Sequence, residues 1–229
     1  MSAGTVVLWR HGRTAYNAQA RLQGQVDIDL DHVGRWQAGR AAEVLAVQHR
    51  PARLLSSDLG RARETAQALA ELTGVPVETD VRLRERSFGE WEGLTADEIA
   101  VRWPEAYGVW RAGRDPERVG AETRAQVADR MSAAVREHAV ATDGTLVCVS
   151  HGAAVTLALT ALLGLDAHEW RGIVGLHNAH WAVLRASAGD AVPPWRLAGH
   201  NLGPAVDLDE WNDGPSEQVP STTADALRT

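Results

Sequence analysis

Two histidines with matching local surroundings are the first candidates for chemistry in this chain of 229 residues. His11 follows the apolar run 6–10, His151 follows the run 146–150, and a glycine comes directly after each histidine. Both runs are typical of buried strands, and a glycine permits a sharp turn into the next element. Ligands of an open α/β sheet bind outside the carboxyl ends of its strands. Parallel neighbouring strands would therefore bring the two imidazoles into one crevice, an arrangement that favours phosphoryl transfer through a histidine.

The residues around His11 are of the types that a phosphoryl group requires. A neutral imidazole nitrogen can attack phosphorus and form a phosphohistidine, which divides one difficult displacement into two easier steps. The equatorial oxygens carry negative charge, and Arg10 could bind them with its planar fork of N–H groups. Thr14 and Asn17 would add neutral donors. An Arg-His-Gly tripeptide also occurs by chance, so this motif alone is not specific.

A second arginine lies where a predicted strand ends in Ser56-Ser57 and a helix begins near Gly60. Arg61 falls in the first turn of that helix, where free amides and the helix dipole favour an anion. An arginine is locally unfavourable at this position, which indicates a role other than helix formation. The alternative is that Arg61 and Arg63 are solvated helix residues, and Arg63 is the weaker candidate.

The segment 82–94 contains three glutamates, Glu85, Glu90 and Glu92, that could donate a proton. Departure of an alkoxide is costly, so hydrolysis of a phosphomonoester needs a proton donor at the ester oxygen. The alternative for each glutamate is a surface ion pair with the neighbouring arginines. The local pattern does not choose among the three.

His151 would lie opposite His11 and bind a phosphoryl oxygen, best as an imidazolium that stabilises the transition state. A histidine in an apolar context is more often a satisfied core residue. The identical strand–turn position of His11 favours a paired role instead.

Alternating strand and helix patterns predict a three-layer α/β/α sandwich with a mostly parallel central sheet. Strands are predicted over residues 5–10, 53–57, 77–79, 145–150, 181–185 and 195–199, the last two as a hairpin. Helices are predicted over residues 34–48, 60–72, 95–103, 105–111, 122–141 and 152–163. Residues 1–212 are predicted to form a single domain, followed by a poorly ordered tail over 213–229.

The composition and charge of the chain limit the classes of partner that it can bind. The net charge of −7 argues against nucleic acid, because phosphate backbones need a basic face. A signal peptide and a membrane-spanning stretch are both missing from the sequence pattern, so we expect a cytoplasmic protein with no membrane partner. The lone Cys148 lies in an apolar strand and is interpreted as a small buried hydrophobe.

Three aspartates, Asp27, Asp29 and Asp31, alternate with apolar residues and raise the possibility of a hard-metal site. No glycine-centred loop or downstream glutamate completes a calcium pattern, so a solvated strand or turn is favoured. The sequence also contains no nucleotide P-loop, no zinc cysteine pattern and no Gly-x-Ser-x-Gly motif.

Taken together, these motifs resemble those of the histidine phosphatase superfamily, also called the phosphoglycerate mutase-like family. The resemblance covers the chain from Val6 to about Asn201. The matching motifs, in family order, are residues 10–12 with Thr14 and Asn17, Gln23-Gly24, residues 56–59 with Arg61-Ala62, residues 83–85 before Gly89 and Gly93-Leu94, and residues 150–152.

The resemblance implies a role for each matching residue. The implied catalytic residues are His11, Glu85, Arg10, Arg61 and His151, and the implied substrate-binding residues are Asn17, Gln23, Gly24, Thr14 and Gly152. His11 would be the nucleophile and Glu85, selected over its neighbours, the proton donor. The resemblance implies no metal and no cofactor, a small phosphorylated metabolite as partner, and a homodimer of the kind common in the family.

The family contains both phosphatases and mutases. Its bisphosphoglycerate-dependent mutases carry an insertion with extra basic residues. The insertion lies between the motif that contains the proton-donor glutamate, here residues 83–85, and a helix start that resembles Gly-Gly-Glu-Ser. Here Glu85 is followed closely by Gly120-Ala121-Glu122-Thr123, and the interval contains no lysine. Hydrolysis is therefore favoured over a mutase-type isomerisation. Several segments are similar to glucosyl-3-phosphoglycerate phosphatases, but broad-specificity acid phosphatases and α-ribazole phosphatases share most of the motifs.

Overall fold

The computed structural model describes residues 2–215, and six strands in this part of the chain form one sheet. The strands are β1 (Thr5–Arg10), β2 (Arg53–Ser56), β3 (Val77–Thr79), β4 (Thr145–Ser150), β5 (Trp181–Ala186) and β6 (Trp195–Leu202). Their order across the sheet is β3-β2-β4-β1-β5-β6. The first four are parallel, whereas β5 and β6 form an antiparallel hairpin beside β1. The sheet is therefore mostly parallel, as predicted.

Eight α-helices connect and cover these strands within the described residues. They are α1 (Ala15–Ala18), α2 (His32–Gln48), α3 (Gly60–Thr73), α4 (Ala96–Arg102), α5 (Pro104–Arg111), α6 (Arg124–Val140), α7 (Gly152–Leu162) and α8 (Leu208–Asp213). The predicted helices agree to within about two residues at each end. The four-residue α1 and the six-residue α8 were not predicted, because helices this short have little room for a periodic apolar face.

Side chains of the central strands alternate between the two faces of the sheet and so contribute to two separate hydrophobic cores. Val6 and Leu8 of β1 point into a cluster with α6 and α7, and Val7 and Trp9 point into a cluster with α2, α3 and α8. The sheet therefore has helices on both faces, which is the three-layer sandwich that the sequence predicts. A smaller third cluster around Trp91 joins α4 and α5 to the segment after β3.

The segment 82–94 contains no strand and no α-helix, as expected, but two short 3₁₀ turns lie at Val81–Leu83 and Gly89–Trp91. Cys148 is fully buried in β4, and burial raises the pKa of its thiol to about 12. Among the described residues, no helix combines the length and the apolar character needed to cross a membrane. The boundary predicted between the domain and the tail stays a prediction, and residues 216–229 of that tail lie outside the described residues.

Candidate active site

His11 and His151 are neighbours, because β1 and β4 pair in parallel and end at the same edge of the sheet. The last paired residues of the two strands are Arg10 and Ser150, and each histidine is the next residue in its chain. The ring centroids lie 5.1 Å apart, with the ring planes tilted by 60°. Both side chains are almost completely buried. The strand pairing that the sequence predicts thus brings the two imidazoles together.

The hydrogen bond of His11 fixes which ring nitrogen can react. Its Nδ1 lies 2.6 Å from the carbonyl oxygen of Gly12, which can only accept, so Nδ1 carries the proton and Nε2 has the free lone pair. Burial, followed by the charges of Arg61 and Arg10, lowers the pKa of His11 well below its ordinary value, against a smaller opposing effect of the Gly12 carbonyl. The ring is therefore neutral at neutral pH, which is the form a nucleophile requires.

His151 has the opposite tautomer. Nε of Arg61 donates to Nδ1 of His151 over 3.2 Å, so the ring proton lies on Nε2. That Nε2 is buried and has no hydrogen-bond partner among residues 2–215. Burial, and then the charges of Arg61, His11 and Arg10, lower the pKa of His151 well below its ordinary value. His151 is thus a neutral N–H donor here, rather than the imidazolium that the sequence suggested, because burial and neighbouring cations oppose a further charge.

The two arginines are held by backbone carbonyls. Arg61 is fully buried, and its two terminal nitrogens donate to the carbonyls of Gly24 and Val26, at 2.8 Å each. Arg10 donates from Nη1 to the carbonyl of Leu176 at 2.5 Å, and its buried Nε has no partner within the described part of the chain. Burial is the main influence on both groups and lowers both pKa values. We call Arg10, His11, Arg61 and His151 the phosphate cradle.

Two glycines of the predicted site allow close approach to the cradle. Gly152 lies against Arg10, where an added Cβ would come 3.4 Å from Nε of that side chain. Gly24 has a φ of +54°, and a side chain there would collide with the carboxylate of Glu92. Gly24 can therefore place its carbonyl against Arg61 only as a glycine.

The polar residues predicted to line the site differ in how many of their hydrogen-bonding atoms already have partners within the protein. Thr14 caps α1, and Asn17 completes the capping box by accepting from the Thr14 backbone N–H at 3.2 Å. Oδ1 of Asn17 also accepts from Asn178 at 3.1 Å, which leaves the Asn17 amide nitrogen as its remaining donor. Gln23 is 7% exposed, and its Oε1 has no partner among the described residues. Gln23 thus brings an amide oxygen without a partner among the described residues to the loop that holds Arg61.

Glu85 is bound at the amino terminus of α7, the helix that begins directly after His151. Its Oε1 accepts from the backbone N–H of Ala154 at 2.9 Å, and its Oε2 accepts from that of Ala153 at 3.1 Å. Helix amino termini favour a carboxylate in this position. The anchoring places the Glu85 carboxylate against the second and third residues after His151.

The arginines beside Glu85 have other partners. Arg84 makes a two-pronged ion pair with Asp58, and Arg86 pairs with Asp115. The alternative interpretation of Glu85 as a surface ion pair is therefore wrong for this structure. Of the other two glutamates, Glu90 is exposed, whereas Glu92 accepts from the backbone N–H groups of Gln25 and Phe88.

Asn178 belongs to the site, but no motif pointed to it. Its side-chain nitrogen donates to the carbonyl of His11 at 3.3 Å and to Asn17 at 3.1 Å. It lies in the irregular stretch between α7 and β5, which also supplies the Leu176 carbonyl to Arg10. Only the fold brings this stretch to the end of β1, so no local signal could have identified it.

Two of the three alternating aspartates, Asp27 and Asp31, have structural partners. Asp27 accepts from the backbone N–H of Gly60 at 2.8 Å, and Asp31 caps α2 while pairing with Arg13. Within residues 2–215, no group of three or more His, Cys, Asp or Glu side chains is arranged to hold a metal ion.

Comparison with known proteins gives a consistent picture. The family model described as "Histidine phosphatase superfamily (branch 1)" matches residues 6–195. A glucosyl-3-phosphoglycerate phosphatase of Mycolicibacterium vanbaalenii is 42% identical over 192 residues, which are 80% of this chain and 85% of that protein. A metal-independent phosphoserine phosphatase of Arabidopsis thaliana is 38% identical over 187 residues, covering 78% of this chain and 79% of the relative.

A solved structure agrees with these sequence relatives. A mycobacterial glucosyl-3-phosphoglycerate phosphatase in complex with VO3 superposes with a TM-score of 0.78 at 38% identity, covering 88% of this chain and 100% of that one. The family match extends over most of the chain and includes every residue of the cradle. The chain therefore belongs to the histidine phosphatase superfamily.

Proposed function

We propose that this phosphatase hydrolyses small phosphomonoesters through a phosphohistidine at His11, without a metal ion. One observation carries the proposal. The lone pair of His11 Nε2 and the N–H of His151 Nε2 belong to rings 5.1 Å apart, with the cations Arg10 and Arg61 beside them. Such a group combines a nucleophile with fixed donors for the charge of a phosphoryl group.

In the first step, Nε2 of His11 forms a bond to phosphorus while the bond from phosphorus to the ester oxygen breaks. The proton on Nδ1 stays in its hydrogen bond to Gly12. Arg10, Arg61 and His151 donate to the equatorial oxygens, where the transition state carries most of its negative charge. The donors need no reorganisation, because backbone carbonyls already hold both arginines.

Glu85, in its protonated form, gives its proton to the departing ester oxygen and becomes the carboxylate that the α7 amide groups bind. In the second step water attacks the phosphohistidine, the bond from phosphorus to Nε2 breaks, and Glu85 takes up a proton from the water. We assign the wall of the pocket to Asn17, Gln23, Thr14, Gly24 and Gly152, as the family resemblance implies. The cradle supplies positive charge and N–H donors, which suit an anion and not a metal cation.

For the substrate we propose glucosyl-3-phosphoglycerate. The support is the 42% identity to the Mycolicibacterium vanbaalenii protein of that name and the structural match to its mycobacterial counterpart. The relative named as a phosphoserine phosphatase makes phosphoserine the second candidate. A mutase reaction is disfavoured, because Gly120 follows Glu85 without the long insertion that the resemblance associates with mutases, and the interval contains arginines but no lysine.

The test of the chemistry is to trap the intermediate. We would mix the enzyme with a ³²P-labelled phosphomonoester, quench in alkali within one turnover, and measure label on the protein. We expect label that survives alkali and is released by acid, as a phosphoramidate requires. If no quench time yields such label while phosphate is still released, the proposed route through His11 is wrong.

The test of the substrate is a phosphate-release panel. It would compare kcat/KM for glucosyl-3-phosphoglycerate, phosphoserine, 3-phosphoglycerate and α-ribazole phosphate. We expect glucosyl-3-phosphoglycerate to be preferred, and a higher value for any other ester would overturn the assignment. Formation of 2-phosphoglycerate from 3-phosphoglycerate on addition of 2,3-bisphosphoglycerate would instead support a mutase.

A homodimer and a cytoplasmic location complete the proposal. The homodimer rests on the family resemblance, and sedimentation of the purified chain would test it. The location rests on the sequence pattern and would be tested by cell fractionation.

A further inference from the structure

The acid segment, which we define as residues 82–87, begins in the 3₁₀ turn Val81–Leu83, continues as irregular backbone, and takes most of its side-chain hydrogen bonds from one arginine of α6. Nη1 of Arg130 donates to the carbonyls of Arg82 and Arg84, at 2.7 Å each, and Nη2 donates to the carbonyl of Glu85 at 2.9 Å. The remaining donors of Arg130 bind the two carboxylate oxygens of Glu122, at 2.8 and 2.9 Å. All five N–H groups of the guanidinium are thus used, three of them on the acid segment.

Glu122 connects the same arginine to the end of the acid segment. Its Oε2 also accepts from the backbone N–H of Ser87 at 2.8 Å, and its own N–H donates to the Ser87 carbonyl at 2.9 Å. Burial opposes ionisation of Glu122, but the hydrogen bonds from Arg130 and Ser87 lower its pKa overall. Glu122 is therefore charged at neutral pH and holds the guanidinium in one orientation.

A third side chain completes the anchoring. The hydroxyl of Ser150 donates to the carbonyl of Leu83 at 2.7 Å, so four consecutive carbonyls from Arg82 to Glu85 accept hydrogen bonds from side chains. Ser150 is also the last residue before His151. The acid segment is thereby tied to the strand that carries the second histidine.

We infer that Arg130, oriented by Glu122, is a positioning residue that aims the Glu85 carboxyl at the leaving-group oxygen. The inference rests on the proposed function, in which Glu85 donates that proton. Arg130 donates a hydrogen bond to the main-chain carbonyl of Glu85, and the backbone N–H groups of Ala153 and Ala154 in α7 donate to its carboxylate. Removal of Arg130 releases the carbonyls of Arg82 and Arg84, and it leaves the carbonyl of Glu85 with the Gln25 amide nitrogen alone, at 3.1 Å. A shift of about 1 Å in such a group can cost about 100-fold in rate.

The test compares two leaving groups in an Arg130→Met variant. We would measure kcat/KM for β-glycerol phosphate, an alkyl ester that needs a proton donor, and for p-nitrophenyl phosphate, whose leaving group needs little protonation. We expect a loss of about 10- to 100-fold for the alkyl ester and little change for the aryl ester. Arg136→Met is the matched control, because Arg136 lies on the same helix and donates to Ser132 and the Ala161 carbonyl. The control should leave the ratio of the two esters unchanged.

Equal losses on both esters would show that Arg130 only stabilises the fold, and would overturn the inference. A Glu85→Gln/Arg130→Met double variant gives the second readout. If Arg130 acts through Glu85, the double variant has the same ester ratio as Glu85→Gln alone, whereas a further change would overturn the inference.

If Arg130→Met does not fold, the Glu122→Gln variant replaces it in the comparison of the two esters. This variant keeps the shape and removes the charge, so we expect a smaller selective loss on the alkyl ester. An unchanged ester ratio in a folded Glu122→Gln protein would overturn the role of Glu122. The proposed function fails separately, if the native chain releases no phosphate or if Glu85→Gln loses equally on both esters.

Discussion

The phosphate cradle and the acid segment serve the same site but are positioned by different means. The cradle residues stand at the ends of β1 and β4 and in the first turn of α3, so backbone hydrogen bonds of regular elements place them. The acid segment is irregular and is placed by side chains of Arg130, Ser150 and Glu122 that come from distant positions. The proposed phosphate binding would therefore depend mainly on the regular elements, whereas the proposed proton donation would depend on a side-chain network that can be damaged while the fold remains.

The largest effect is expected in the cradle. His11→Ala removes the atom that bonds to phosphorus, so we expect phosphate release from every ester to fall by about 1000-fold or more. His32→Ala is the control, because that histidine is exposed at the start of α2. Turnover by His11→Ala within tenfold of the native rate would remove His11 from the nucleophile role.

A smaller and selective effect is expected in the acid segment. Glu85→Gln keeps the shape of the side chain but removes its proton, so we expect about 100-fold loss of kcat/KM on alkyl phosphates and much less on aryl phosphates. The exposed neighbour provides the control variant Glu90→Gln. Equal losses on the two ester classes would exclude Glu85 as the proton donor. The cradle and the acid segment would then not differ in the way proposed.

A dependence of stability on pH is expected from the cradle. The pKa values of His11 and His151 are lowered in the folded chain, so below pH 6.5 the unfolded chain binds more protons. The free energy of unfolding therefore falls as the pH drops below 6.5, with a slope of up to about 2.7 kcal/mol per pH unit from these two groups. Well above pH 6.5, both rings are neutral in the folded and the unfolded chain, so their stabilising contribution to the free energy of unfolding is fully present.

Urea unfolding at pH 7.5 and pH 5.5 measures this loss. A His11→Gln/His151→Gln double variant should lose less stability between the two pH values than the native chain does. The other histidines whose pKa values are lowered, His49 and His180, are the same in both proteins and cancel in the comparison. An identical loss in both proteins would contradict the neutral state assigned to the cradle.

The smallest effect is expected on removal of metal ions. Dialysis against EDTA should leave phosphate release unchanged, because the cradle offers cations and N–H donors to the phosphoryl group. Inhibition by EDTA that a divalent ion reverses would show that the proposed chemistry is wrong.

The cradle and the acid segment also differ in how far they could be predicted. The runs before His11 and His151 are apolar and of strand length, and each ends at a glycine, so the neighbouring positions of the two rings followed from the pattern. The family resemblance then singled out Glu85, which local reasoning had left equal to Glu90 and Glu92. No pattern pointed to Arg130 or Asn178, since their partners lie far away in the sequence.

The charge of His151 is the property that the local pattern was least able to supply. The residue type and its expected ligand suggested an imidazolium, but the fold buries the ring next to Arg61 and Arg10. The cost of a buried charge beside two cations then decides in favour of the neutral ring. Neither burial nor these neighbours can be derived from the residues adjacent to His151.

The sequence by itself determined the six strands, the helices α2 to α7 and the residue types at the ends of β1 and β4. These properties depend on apolar periodicity and on glycine turns, which act over a few residues. Only the tertiary structure decided that Arg61 donates to a histidine 90 positions away and that Arg130 holds three carbonyls of the acid segment. The reason is that protonation states and side-chain aim depend on burial and on distant donors, and both arise only when the sheet and its two helical layers have assembled.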